Sequence, residues 1–172
     1  MKAKLNRLVL GAVLGFAGLL VGCSDESAAP AANAPAPAST PGATTITMQA
    51  SDPGVATMVG TKDPARGLVT TGREGYLMFG PYIPLAPGNY EVTIHGTIEA
   101  QAGVSATLDV VSDKGASKLG GATVSQPQSA EGAILARIDF TVPVGVTDLE
   151  VRASVPANIA MSIASYTITK RP

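Results

Sequence analysis

Residues 90–99 read YEVTIHGTIE, and this stretch decides the fold. Apolar and polar side chains alternate along it, and the apolar set is Tyr90, Val92, Ile94 and Ile98. Successive side chains of a β-strand point to opposite faces, so this alternation is typical of a strand with one buried and one solvated face. The turn residues Pro87-Gly88-Asn89 lie directly before it. The stretch therefore predicts one strand of an antiparallel sheet.

The same alternation recurs in several other parts of the chain. It is present near residues 44–50, 106–110, 134–142, 148–155 and 161–169, and it slips near Ile163–Ala164, which predicts a bulge. Turn residues such as Gly120-Gly121 separate these runs, and the glycine-rich residues 51–73 predict a loop. No stretch after residue 22 has the 3.6-residue period of an amphipathic helix. Eight or nine short strands at this spacing predict an all-β fold, an antiparallel β-sandwich.

Composition and charge narrow the class of protein. The chain has 172 residues, no tryptophan and a single cysteine, so its core must be built from aliphatic side chains. Residues 1–22 carry three of the twelve basic residues and none of the thirteen acidic ones, so the remainder has a net charge of −4. A mildly acidic chain without a basic patch gives no reason to expect nucleic acid binding.

Cys23 is preceded by a basic head and an apolar run, Leu8 to Val21, that is shorter than the roughly 20 residues of a transmembrane helix. The string Leu20-Val21-Gly22-Cys23 resembles the lipobox of bacterial lipoproteins. The resemblance implies cleavage before Cys23, lipidation of Cys23 and a membrane anchor of two or three acyl chains. An ordinary signal peptide and an uncleaved anchor helix are the alternatives.

The residues after Cys23 predict where the chain is delivered and how it is attached. In Gram-negative lipoproteins, Asp after the lipidated cysteine implies inner-membrane retention. Here Ser24 follows, and the resemblance therefore implies the outer membrane. Pro and Ala dominate up to residue 43, which predicts a semi-extended tether. The expected organisation is a signal peptide over 1–22, the lipidated cysteine and tether over 23–43, and the sandwich over 44–172.

Residues 75–92 read GYLMFGPYIPLAPGNYEV. This segment resembles a strand–turn–strand of carbohydrate-binding-module-like jelly rolls of the galactose-binding-domain type, and residues 133–169 are compatible with their closing strands. The resemblance implies a jelly roll and a non-catalytic binding role, with a surface or capsular glycan as the leading ligand. The chain departs from the pattern because it has no tryptophan to stack on a sugar. The alternative is a structural or protein-docking lipoprotein that binds no small ligand.

Four residues are candidates for ligand binding, namely Arg73, Tyr76, Tyr82 and His95. Arginine can clamp hydroxyls or carboxylates, tyrosine can line a sugar pocket, and histidine can bind a hydroxyl. Each residue also has a simpler interpretation, as a surface ion pair, as packing, or as a solvated strand residue.

No catalytic residues are predicted, because a lone histidine without a nucleophile or a second histidine does not make a hydrolase. No cofactor is predicted either. Some jelly rolls hold a structural calcium ion through backbone carbonyls, and this alternative stays open. Two predicted strands carry outward charges, and if they are neighbours their side chains form cross-strand ion pairs; these residues are Arg137, Asp139, Glu150 and Arg152.

Overall fold

The computed structural model describes residues 44–99 and 102–172. The signal peptide, Cys23 and the tether lie outside the described residues. Eleven strands occur in the described part: β1 (Thr45–Gln49), β2 (Gly60–Asp63), β3 (Gly67–Thr70), β4 (Gly75–Met78), β5 (Pro81–Leu85), β6 (Gly88–Glu99), β7 (Ala106–Ser112), β8 (Ser117–Val124), β9 (Ile134–Val142), β10 (Val146–Val155) and β11 (Ala160–Lys170). No helix that could span a membrane occurs in these two ranges.

The strands form two antiparallel sheets. Sheet 1 has the order β2-β3-β11-β6-β9, and β1 pairs with β11 beyond the end of β3. Sheet 2 has the order β4-β10-β7-β8, and β5 pairs with the first half of β10. The two sheets enclose one hydrophobic core, so the predicted all-β antiparallel sandwich is confirmed.

Aliphatic side chains dominate the core, as the composition predicts. From β6 the buried side chains include Val92, Ile94 and Ile98, and from β10 they include Leu149 and Val151. All five are fully buried, and they alternate with polar residues on the outer faces. The period-two patterns of β6 and β10 therefore predict correctly which side chains form the core.

One edge of the sandwich depends on a glycine. Strand β8 packs against β9 of the other sheet, and a Cβ at Gly120 would lie 2.8 Å from Ile138 Cγ2 and 3.2 Å from Phe140 Cβ. Only a residue without a side chain allows this approach. Gly120-Gly121 therefore lies inside a strand, and the prediction of a turn there is wrong.

Two further expectations are corrected. The loop expected over residues 51–73 contains the short hairpin β2–β3, and together with β8 it raises the strand number from eight or nine to eleven within the described residues. Arg137 and Asp139 lie on β9 in sheet 1, whereas Glu150 and Arg152 lie on β10 in sheet 2. These strands are not neighbours, so the expected ion pairs between them do not form. The bulge predicted in the last strand is confirmed by a register shift between Ile163 and Ser165.

Both ends of the described chain lie at the same end of the sandwich. The N–H of Lys170 donates to the carbonyl oxygen of Thr44 at 3.0 Å, where β1 begins and β11 ends. Strand β10 starts at this end, next to Leu85, and finishes at the opposite end, where Asn158 N donates to Gly72 O at 2.9 Å. We call the second end the distal end.

Candidate binding site

The outer face of sheet 2 gathers charged and aromatic side chains. Along β10 the outward residues are Asp148, Glu150, Arg152 and Ser154, which alternate with the buried core residues. Alternate residues of one strand are about 6.7 Å apart, so the row is about 20 Å long. Strand β7 supplies Asp109 directly opposite Arg152, and β4 and β5 flank the other side of β10.

Arg152 and Asp109 form the central ion pair of this face. Arg152 Nε and Nη2 donate to the two carboxylate oxygens of Asp109 at 2.9 and 2.8 Å, a bidentate arrangement. These hydrogen bonds raise the pKa of Arg152 above its usual value, although burial acts in the opposite direction. The Arg152 guanidinium also lies over the ring of Tyr76, 5.2 Å from its centroid. Tyr76 is therefore half-buried, and one face of its ring is covered.

Tyr82 is the exposed aromatic ring of this face. It is 50% exposed, and its backbone has φ +60, a left-handed conformation that is rare for a bulky residue. Such a conformation costs about 1–3 kcal/mol and occurs preferentially at functional sites. The Tyr82 hydroxyl donates to Glu150 Oε1 at 3.3 Å. Burial, followed by the charge of Glu150, raises the pKa of Tyr82, so the phenol stays protonated at neutral pH.

The hairpin turn between β7 and β8 forms a wall beside the row. Asp148 accepts hydrogen bonds from the N–H groups of Lys114 at 2.8 Å and Asp113 at 3.0 Å, and these bonds lower the pKa of Asp148. A Cβ at Gly115 would lie 2.9 Å from Arg152 Nη1, so the turn reaches over the sheet. Val111 is fully buried there without belonging to the core between the sheets. The turn therefore bounds the face on the side of β7 and β8.

A groove continues this face at the distal end. Its volume is about 510 Å³, and it is lined by residues of β4, β7 and β10 and their ends: Glu74, Gly75, Ser105, Thr107, Ser154, Val155 and Pro156. Ser154 stands in register with both Tyr76 and Thr107. The groove therefore adjoins the Arg152–Tyr76 contact, and a row of polar groups connects it to Tyr82.

The outer face of sheet 1 carries a separate set of polar groups. Glu91 accepts hydrogen bonds from Arg171 and from Arg137, the latter at 3.3 Å. Desolvation alone would raise the pKa of Glu91, but the bonds and charges of Arg171, Thr93 and Arg137 together lower it. A smaller concavity of about 340 Å³ lies over Gly96 and Thr97, between Arg66 and Glu131.

The structure places the four predicted binding residues in different parts of the molecule. Tyr76 and Tyr82 share the outer face of sheet 2. Arg73 is exposed in the turn before β4, one residue from Glu74 of the distal groove. His95 lies on sheet 1, where its Nδ1 is 3.0 Å from the carbonyl oxygen of Gly132. The two tyrosines therefore belong to one candidate site, and His95 does not join them.

Sequence reasoning did not identify Asp109 as part of this site. Its outward position follows from the alternation in β7, but its partner is known only when β7 and β10 are neighbours. No group of three or more His, Cys, Asp or Glu side chains that could hold a metal ion occurs within residues 44–99 and 102–172.

Comparison with known proteins gives a likeness of fold only. No family model matches the chain, and no curated protein matches it. Two solved structures resemble it at 16% identity over 74% of this chain. One is the C-terminal CBM6 of LamC, a marine laminarinase from Zobellia galactanivorans, covered completely with a TM-score of 0.47. The other is the module CBM6cm-2 from Cellvibrio mixtus lichenase 5A in complex with cellotriose, 98% covered with a TM-score of 0.45. At these values neither structure identifies a ligand for this chain.

Proposed function

We propose that this protein is a non-catalytic binding module of the bacterial cell envelope that holds a glycan on the outer face of sheet 2. The observation that carries the proposal is Tyr82, whose exposed ring is held in a strained backbone conformation above the carboxylate of Glu150. Strain of this kind persists only where the surrounding structure imposes it. A ligand that stacks on the exposed ring would account for the strained conformation of Tyr82.

The chemistry of the face suits a sugar. A flat aromatic ring matches the C–H face of a pyranose, and neighbouring charged groups can hydrogen-bond to its hydroxyls. Glu150 and Asp109 supply acceptors, and Arg152 supplies donors. From Glu150 to Ser154 the row extends about 13 Å toward the distal groove. The length of this row favours an oligosaccharide over a single sugar.

The module acts without catalysis. Glycoside hydrolysis requires two acids about 5–10 Å apart on either side of the scissile bond. On this face Asp109 is already held by two N–H groups of Arg152 and Asp148 by two backbone N–H groups, and the histidine lies on the other sheet. Turnover of an envelope polysaccharide by the purified protein, abolished by replacing one Asp or Glu, would overturn this part of the proposal.

The module is anchored through Cys23, and the anchor lies in the outer membrane. Support comes from the basic head, the short apolar run and the string Leu20-Val21-Gly22-Cys23. The test is to fractionate cells that express the parent and Cys23→Ser. We expect the variant to leave the membrane fraction, and a variant that stays there would contradict the anchor.

Glycan binding is tested with Tyr82 variants on an array of envelope polysaccharides. We expect Tyr82→Ala to lose about fivefold in affinity, since covering the exposed half of an aromatic side chain contributes about 1 kcal/mol. Tyr82→Phe keeps the ring and should retain most of the binding. His95→Ala, on the other sheet, is the matched control and should bind like the parent. Equal binding by Tyr82→Ala would refute the site.

The alternative function is a protein-docking or structural lipoprotein. One observation favours it, because Arg152 covers one face of Tyr76 and leaves Tyr82 as the exposed ring of the face. No binding on the array, together with a protein that co-purifies with the parent but not with Tyr82→Ala, would establish this alternative.

A further inference from the structure

Glu150 is a buried carboxylate with few partners for its charge. It is only 7% exposed, and its neighbours on the two flanking strands are Pro81 and Val111. Proline has no backbone N–H to donate, and valine has an apolar side chain. Tyr82 is the one side chain of the described residues that donates to Glu150, at 3.3 Å, and it reaches only Oε1. Oε2 is left to accept a hydrogen bond from outside the protein.

Within the described residues, no buried or half-buried cation is free to pair with Glu150. Arg152, two residues along β10, is matched by the bidentate bond to Asp109. Tyr82 is neutral, and Asp148 at the start of the row is a further acid. Two cations stand nearby on the β7–β8 hairpin, Lys114 and Lys118, but both are exposed, and within the described residues neither forms an ion pair. Water screens exposed charges far more than it screens a buried one, so these two lysines offset the charge of Glu150 only weakly.

We infer that the site formed by Tyr82 and Glu150 accepts sugars that donate hydrogen bonds and carry no negative charge, whether uncharged or amine-bearing, and that it excludes uronates and sulfated sugars. The inference rests on the proposed glycan-binding function. A hydroxyl or ammonium group can donate to Oε2 and complete the hydrogen bonding of the carboxylate. A second anion would be brought out of water beside a carboxylate that forms no ion pair within the described residues, which is unfavourable.

The experiment compares glycans that differ only in charge. An array presents oligosaccharides of several linkages, each as its neutral parent and as its 6-oxidised uronate, with sulfated and amine-bearing forms where they can be made. The parent protein and Glu150→Gln are probed in parallel. Glu99→Gln is the matched control, because it removes the same charge from an exposed position on sheet 1.

For the parent protein we expect each uronate to bind about tenfold or more weakly than its neutral form. Glu150→Gln should bring the two within about threefold of one another, and Glu99→Gln should leave the ratio unchanged. Uronates that bind as tightly as their neutral forms would overturn the inference alone. A Glu150→Gln protein that still discriminates would also overturn it. No bound glycan of any charge would overturn the proposed function and the inference together. If Glu150→Gln does not fold, the inference is tested by the parent protein alone, through the ratio of its affinities for each neutral glycan and the matching uronate.

Discussion

Replacing Tyr166 by Phe should stabilise this protein. The Tyr166 side chain is fully buried between the sheets, and among the described residues its hydroxyl has no hydrogen-bond partner. An unsatisfied buried polar group costs about 1–3 kcal/mol. Removing the oxygen also removes a few packing contacts, each of about 0.1–0.2 kcal/mol. The net expectation is a gain of about 1–2 kcal/mol in the free energy of unfolding, or about 3–8 °C in Tm for a domain of this size.

Tyr90 provides the matched control for this substitution. It is also buried, but its hydroxyl donates to the carbonyl oxygen of Ala86 at 2.9 Å. Tyr90→Phe should therefore destabilise by about 0.5–1.5 kcal/mol. The same chemical change is thus expected to act with opposite signs at the two positions. Urea and thermal unfolding followed by far-ultraviolet circular dichroism measure both values.

The dependence of stability on pH in the alkaline range gives a second measurement on Tyr166. Burial raises its pKa above 10, so the folded state holds the proton more tightly than the unfolded state does. Below pH 10, the ordinary pKa of tyrosine, Tyr166 is protonated in both states and its full contribution to stability is present. This contribution is lost as the pH rises from 10 toward the pKa in the folded state. Tyr166→Phe should flatten the fall in stability at high pH. A variant that is less stable than the parent by more than about 0.5 kcal/mol would refute the reasoning, because the hydroxyl would then have a partner.

Five further substitutions test the fold and its electrostatics. Ile94→Asp should unfold the domain because it places an unpaired charge in the core, whereas His95→Ala, on the outer face, should cost less than about 1 kcal/mol; circular dichroism separates the two. Gly96→Ala should destabilise by about 2 kcal/mol or more, since its Cβ would lie 2.0 Å from a facing carbonyl oxygen, while Gly132→Ala has open space and a φ of +72 and should cost about 1 kcal/mol in the same unfolding assay. Because the pKa of Glu91 is lowered in the folded state, its carboxylate stabilises the fold above the ordinary pKa of glutamate, and this contribution is lost as the pH falls below that value. Glu91→Gln should therefore make stability fall less steeply at acid pH. An unchanged fall in stability would contradict the ion-pair assignment.

The long strands could be predicted from the sequence because their burial is periodic. In β6 and β10 every second residue faces the core, and this pattern is visible without any knowledge of the partners. The sequence does not predict strand β8, because Gly120 is needed there for a close contact with Ile138 of the other sheet, a contact that requires the absence of a side chain. Glycine predicts a turn from local preference, and here the tertiary contact determines the structure instead.

The candidate site was only partly predictable for a similar reason. The segment containing Tyr76 and Tyr82 could be singled out, but the exposure of Tyr82 depends on its positive φ, which the residue type does not predict. The bond between Arg152 and Asp109 joins strands that are 43 residues apart in the chain. The lipid anchor and the delivery of the protein to the outer membrane stay predictions.

The adjacency of Thr44 and Lys170 has a mechanical consequence. A pull on Thr44 that is directed along the axis of β1 loads a strand that is paired with β11 over five residues, from Thr45 to Gln49. The hydrogen bonds of this pair lie across the direction of the pull, so they are loaded together in shear and do not open one after another like a zipper. A ligand held on the outer face of sheet 2 or in the distal groove would transmit its load through the sandwich to this joint. This geometry would suit the proposed binding module, because a joint loaded in shear resists separation of β1 from β11.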